Sequence, residues 1–212
     1  MMDSIREFLP SLGLPGEDPG ALPDSQKLFP DGCQYRIEIP STEGPRALAT
    51  VIAEANKRDV PVHRVSQGSG VMMLTDDEIA EMAQLGAEHG VEVSLFLGPR
   101  GAWDTGGQSL ATAAAGGVAR GAAGVDWCLA EVARGVSLGI RSFLVADLGV
   151  LAALGAAKAA GDLPASLVLK TSVLLPCANP AAARELERLG AGTINVSTDL
   201  SPAELGELRA AC

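Results

Sequence analysis

Histidine is scarce in this sequence and clustered cysteine is missing from it. It holds two histidines and four cysteines, and Cys33, Cys128, Cys177 and Cys212 stand far apart. No CxxC pair or Cys/His cluster exists, which argues against a local zinc site. Dispersed cysteines in a chain of this size do not suggest a disulfide framework. The opening "MMDSIREFLPSLGLPGEDPG" has no basic region followed by an apolar core. A signal peptide is therefore not expected, and the expected location is cytoplasmic. No run of about 18 apolar residues escapes charge or proline, so no membrane span is expected. Positive charge is also short: 16 Lys and Arg against 26 Asp and Glu leave a net charge of −10. Such a surface repels phosphate backbones and anionic lipids, so neither nucleic acid nor membrane is an expected partner. Neither GxxxxGK[ST] nor GxGxxG matches, and no Gly-x-Ser-x-Gly elbow is present.

What is there is an apolar, periodic chain. Of its 212 residues 47% are hydrophobic, enough to bury a core in one domain or at most two. Residues 1–32 read as a Pro/Gly-rich arm without sustained period, and residues 33–212 as one domain. From Gln34 a strand–helix unit recurs. "QYRIEIPS", "VPVHRVSQGSG", "VEVSLFLGP", "IRSFLVAD", "SLVLKTSVLLP" and "GTINVSTDL" are the strands, each followed by a helical pattern. Units spaced at roughly 30 residues predict an α/β protein with a parallel sheet. Thr75 with Glu78 three residues on reads as a capping box, and Ser201-Pro202 as a second helix start. Gly90, Gly139 and Gly190 stand where left-handed helix ends belong.

The strands choose between an open sheet and a barrel. Central strands of an open sheet are buried on both faces and almost wholly apolar. Here Ile37 and Ile39 alternate with Arg36 and Glu38, and Ile194 and Val196 with Asn195 and Ser197. One apolar face and one polar face fit a (β/α) barrel with a lumen. A full barrel takes about eight units and about 250 residues, against six units here. The expected fold is thus an incomplete barrel: a truncated chain, or one closed by a second copy or a partner. An open sheet is the remaining alternative.

Sites in such folds gather at the C-terminal strand ends. A small-molecule substrate is expected there. Glu38 is a candidate general base or metal ligand, or else an ion-pair partner of Arg36. His63 is a candidate acid/base group, histidine being the side-chain type suited to that work near neutral pH, or else a core histidine. Lys170 stands between apolar neighbours. A desolvated lysine can form a Schiff base; Lys170 could equally balance Glu38 or Asp147 across the lumen. Arg64, Gln67, Arg100, Trp103, Asp104, Asn195 and Ser197 are the candidate substrate-binding residues. Asp147 and Asp199 end strands, where helix capping competes with metal binding. No metal ligand is assigned; the cofactor is open, with a divalent metal as one option. The glycine-rich "SQGSG" and "DTGGQS" offer backbone amides to a carboxylate or phosphate.

Residues 98–124, 27 in all, separate the third strand from its helix. Such connections usually take about two to six residues. Arg100, Trp103, Asp104 and Gln108 give its first half the character of a lid or binding loop.

The opening "RIEIPS", the segment "GPRGAWDTGGQ" and the even unit spacing together resemble the actinobacterial-type branch of the collagenase-like peptidases (peptidase family U, number thirty-two). The likeness spans residues 33–212. It implies a barrel-like fold with a lumen site at the strand ends. Its better-understood members look like RNA- or quinone-hydroxylation factors that hold an iron–sulfur cluster on four cysteines. The dispersed cysteines here depart from that pattern, so neither a cluster nor proteolysis is expected. A second likeness is to pyruvate-handling barrels of the aldolase/citrate lyase kind, which implies a divalent metal held by Glu38 and Asp147, with Arg100 on a substrate carboxylate. The expectation is a barrel enzyme, with a carbon–carbon lyase and a non-catalytic barrel-completing subunit as alternatives.

Overall fold

A computed structural model of the chain describes residues 26–29, 32–98 and 117–212. The chain divides into two units, Met1–Tyr35 and Arg36–Cys212. In the first, the described residues form a turn: Gly32 N–H donates to the Phe29 carbonyl and Phe29 N–H to that of Cys33.

Everything that follows lies in the second unit. Its strands are β1 (Glu38–Ile39), β2 (Arg64–Gln67), β3 (Glu92–Phe96), β4 (Ser142–Val145), β5 (Val168–Thr171) and β6 (Thr193–Ile194). Between and after them come α1 (Pro45–Lys57), α2 (Asp76–His89), α3 (Gly121–Ser137), α4 (Leu148–Ala160), α5 (Pro180–Arg188) and α6 (Pro202–Ala211). Every ladder is parallel and the strands lie in chain order, β1 to β6. A doubly wound sheet would reverse direction at a switch point. This one does not: it curls into an incomplete barrel.

Alternation along each strand sorts its residues onto two faces. Ile39, Val65, Val93, Leu95, Phe143, Val145, Leu169 and Ile194 face the helices. They join one core with Leu48, Ile52, Ile79, Met82, Val132, Leu151, Leu154 and Leu186. The register puts Glu38, Arg64 and Glu92 side by side on the other face, then Ser66, Ser94 and Ser142, then Leu144, Lys170 and Thr193. Polar and charged groups thus line the lumen, as the strand patterns predict.

Local signals place the helices. Thr75 and Glu78 form the capping box at the start of α2, and Ser201 and Glu204 form another at α6. Helix α2 ends on Gly90 at φ 66°, the left-handed conformation that glycine adopts freely. At Gly135 of α3 a Cβ would fall 2.7 Å from Phe143 Cζ, so glycine there admits the phenyl ring. Two differences from the sequence reading stand out. Helix α3 starts at Gly121, one turn before Val125, because the Ala122-Ala123 pair extends it at no side-chain entropy cost. Strands β1 and β6 hold two residues each. Each lies at an edge of the sheet with one strand neighbour, so little ladder is available to lengthen it.

Candidate functional site

The lumen holds a compact group of charges. Glu38, the first residue of β1, accepts a hydrogen bond from Lys170 Nζ, which reaches it from β5. Its other oxygen lies 3.7 Å from Arg64 Nη1. Arg64, which opens β2, donates through Nη2 to Glu92 at 2.8 Å and to the Thr193 hydroxyl at 3.4 Å. The Ser66 hydroxyl supplies a further hydrogen bond to Glu38. Two cations and two carboxylates therefore join β1, β2 and β3 to β5 and β6 across the interior. Lys170 is 1% exposed, whereas the Glu38 side chain is 25% exposed. The group opens to solvent through its carboxylates.

Burial alone would raise the Glu38 carboxyl. Hydrogen bonds from Lys170 and Ser66, with the charges of Lys170 and Arg64, outweigh it and hold Glu38 below the usual carboxylate range. Burial lowers Lys170 from the ordinary lysine value and Arg64 adds to the fall, while Glu38 opposes both. The result is an ionised carboxylate beside an amine whose proton is easier to remove than in water. That pairing can move a proton between Nζ and Oε1 over one hydrogen bond.

No family model matches the chain, and no curated protein matches it.

The remaining candidates are dispersed. His63 precedes β2 and leaves the backbone on the face opposite Arg64; its Nδ1 accepts the Ile37 amide at 3.0 Å. His63 and Arg64 thus stand at the N-terminal end of β2, and Glu38, in register with Arg64, stands at the same level of the lumen, away from the C-terminal strand ends where the sequence reading puts all three. Gln67 is wholly buried, and its amide grips Gly70 twice: Nε2 donates to the Gly70 carbonyl at 3.0 Å and Oε1 accepts its N–H at 3.1 Å. It shapes the β2–α2 loop. Asn195 and Ser197 line a cavity of about 540 Å³ beyond β6, together with Val173, Thr198 and Leu205. Arg100, Trp103, Asp104 and Gln108 lie outside the described residues. Asp147 caps α4 through Val150 N–H at 2.8 Å, and its other oxygen accepts Ala119 N–H at 3.0 Å.

Two carboxylates that the sequence does not single out organise the loops. Glu43 accepts Gly68 N–H at 3.1 Å, Ser69 N–H at 3.0 Å and the Ser69 hydroxyl. The amides of "SQGSG" thus hold a carboxylate, and it is the chain's own. Ser41, at φ 55°, turns the backbone out of β1 just before it. Glu131 of α3 is buried and accepts Gly98 N–H at 2.9 Å. Burial raises its carboxyl despite hydrogen bonds from Gly98 and Trp127. Its neighbour Cys128 is pushed up to about 12, by burial first and then by Glu131 and Asp147. A thiol that weakly acidic gives no thiolate nucleophile near neutrality. Among the described residues no three His, Cys, Asp or Glu side chains are placed to hold a metal ion, and no helix is long and apolar enough to cross a membrane.

Proposed function

We propose that the chain is an incomplete-barrel enzyme acting on a small carbonyl compound in its lumen, with Lys170 as amine nucleophile and Glu38 as proton carrier. The observation that carries this reading is the hydrogen bond between Lys170 Nζ and Glu38 inside the curled sheet. Glu38 takes a proton from the ammonium, and the free amine attacks the carbonyl carbon. The C–N bond forms as the carbonyl π bond breaks, and Glu38 returns its proton to the oxygen. Glu38 then takes a second proton from nitrogen and gives it to the departing hydroxyl. Overall, ammonium plus carbonyl yields iminium plus water, with no other reactant.

The charges favour this reading over the two that the family likenesses suggest. A divalent cation at Glu38 and Asp147 would meet Lys170 and Arg64 on the first carboxylate, and the second spends its two oxygens on the Val150 and Ala119 amides. Peptide hydrolysis would need an activated nucleophile. His63 spends Nδ1 on a backbone amide, and the buried Cys128 stays protonated. The deep burial of Lys170 favours one competitor, in which the cluster only braces the sheet.

Borohydride trapping separates the two. The protein is reduced in the presence of dihydroxyacetone, glycolaldehyde or pyruvate, digested and mapped by mass. Hydride addition to an iminium leaves a stable secondary amine on Lys170, lost in Lys170→Met. Adducts confined to exposed lysines such as Lys57 would leave the brace as the explanation.

A further inference from the structure

Exposed apolar side chains are not spread evenly over the second unit. Among its described residues eight large ones are exposed, and seven of them follow the C-terminal ends of strands. Met72 and Met73 come after β2, Val118 and Trp127 after β3, Leu148 after β4, Val173 after β5 and Leu205 after β6. The eighth, Val60, stands before β2. Each of the seven is between 39 and 53% exposed. They form one continuous rim. Met72 and Trp127 both lie against the Glu131 carboxyl, and α3 leads from Trp127 back toward Val118, just before its start. The bond from Ala119 N–H to Asp147 ties the neighbours of Val118 and Leu148 together. Gly117 packs on Ala146 and Leu174, beside Val173. Val173 and Leu205 share the cavity of about 540 Å³ beyond β6.

Single exposed apolar residues need no explanation, whereas a contiguous set marks an interface. The largest apolar patch on a typical monomer covers about 300–600 Å². Seven large side chains at these exposures reach the upper part of that range, on the order of the ~600 Å² per partner that a small specific interface needs. Tryptophan and methionine are also types that interface cores favour. The two ends of the rim differ in shape. Toward β2 and β3, Trp127 is the most exposed side chain of the seven. Toward β5 and β6 lies the cavity, with no charged side chain in its lining. A knob and a hollow on one surface fit a second copy of that surface. A two-fold axis near Leu148 sets each Trp127 opposite the other copy's cavity. An anionic lipid surface is a poorer occupant, because it repels a chain of net charge −10.

We infer that the chain forms a two-fold dimer through this rim, with Trp127 of each copy seated in the cavity between Val173 and Leu205 of the other. The inference is independent of the lumen chemistry. Light scattering on the eluted full chain should give about twice the chain mass of 21.6 kDa. Trp127→Glu and Leu205→Glu, one at each end of the rim, should each weaken the dimer at least tenfold. Val60→Glu, exposed outside the rim, should leave it unchanged. Added salt should tighten the dimer, since it screens the repulsion between two acidic copies and leaves apolar contact intact. If Trp127→Glu fails to fold, Trp127→Ala takes its place. A monomer at about 0.1 mM overturns the dimer and leaves the rim to a different partner. A dimer that survives both rim variants overturns it too, and the edge strands β1 and β6 would then be where the copies pair. So does a dimer sensitive at one end alone, because a two-fold contact uses both.

Discussion

On the outer face of the sheet Val65, Val93, Leu95, Phe143 and Leu169 are buried beneath the helices. Between them along the same strands stand Arg64, Ser66, Glu92, Ser94, Ser142 and Lys170, most of them equally buried, on the lumen face. Burial stabilises the first set by roughly 25 cal/mol per Å² of apolar surface. It does not stabilise the second. Buried ion pairs at best offset their own desolvation, and well-packed apolar residues often replace them without loss. The outer face therefore holds the fold together, and the lumen carries groups the fold does not require. That contrast is the reason to look for function inside the curl.

The largest test removes one member from each face. Phe143→Ala deletes a ring with no exposed surface, packed against Gly135. It should cost about 3–5 kcal/mol, read as a lower midpoint in urea or heat. Replacing the ion pair in Glu38→Leu/Lys170→Met should leave stability within about 1 kcal/mol of the parent, or raise it. A loss as large as that of Phe143→Ala would make the cluster a brace and end the contrast between the faces.

A second test compares two carboxylates at different places. Glu38 in the lumen is lowered by its partners, whereas Glu131 on α3 is raised by burial. The folded Glu38 holds its proton less tightly than an unfolded glutamate. Its contribution is present above about pH 4.3, the unfolded value, and is lost as pH falls through the folded value. Glu131 has the opposite sign. Its folded form binds the proton more tightly, so stability falls as pH rises from about 4.3 through the raised value. Relative to the parent, Glu38→Gln should flatten the acid limb of stability against pH. Glu131→Gln should remove a loss just above it. The two difference curves should slope in opposite directions; parallel slopes would contradict the assigned environments.

The outer face was legible because its signals are local. Ile39 and Ile194 alternate with polar neighbours, Thr75 and Glu78 are three residues apart, and Gly90 closes a helix where its pattern stops. The lumen cluster was only half legible. Lys170 stands out as a charge in an apolar strand, and Glu38 as a partner for it to balance. That Arg64 joins them, and that His63 leaves on the other face, depends on where β2 begins, which the run "VPVHRVSQGSG" does not mark. Gln67 looked like a free polar side chain at a strand end, yet it is consumed by Gly70. The serine row had no local signal: Ser66, Ser94 and Ser142 are separated by 28 and 48 positions and meet only through parallel register.

The smallest effect asks whether the two faces are energetically independent. Thr75→Ala removes the hydroxyl that accepts Glu78 N–H at the start of α2. It should cost about 1 kcal/mol, the usual worth of such a cap. Thr75 is exposed at the outer end of α2, whereas Lys170 lies buried in the lumen. The cap's partners are Glu78 atoms, and those of Lys170 lie on β1, so no group is common to both. Combined with Glu38→Leu/Lys170→Met, the cap variant should add to within about 0.5 kcal/mol, as distant sites without common partners do. Denaturant melts of the parent, the two variants and their combination supply that cycle. A larger coupling would mean that the lumen charges set the position of the helix layer, and the division of labour between the faces would have to be redrawn.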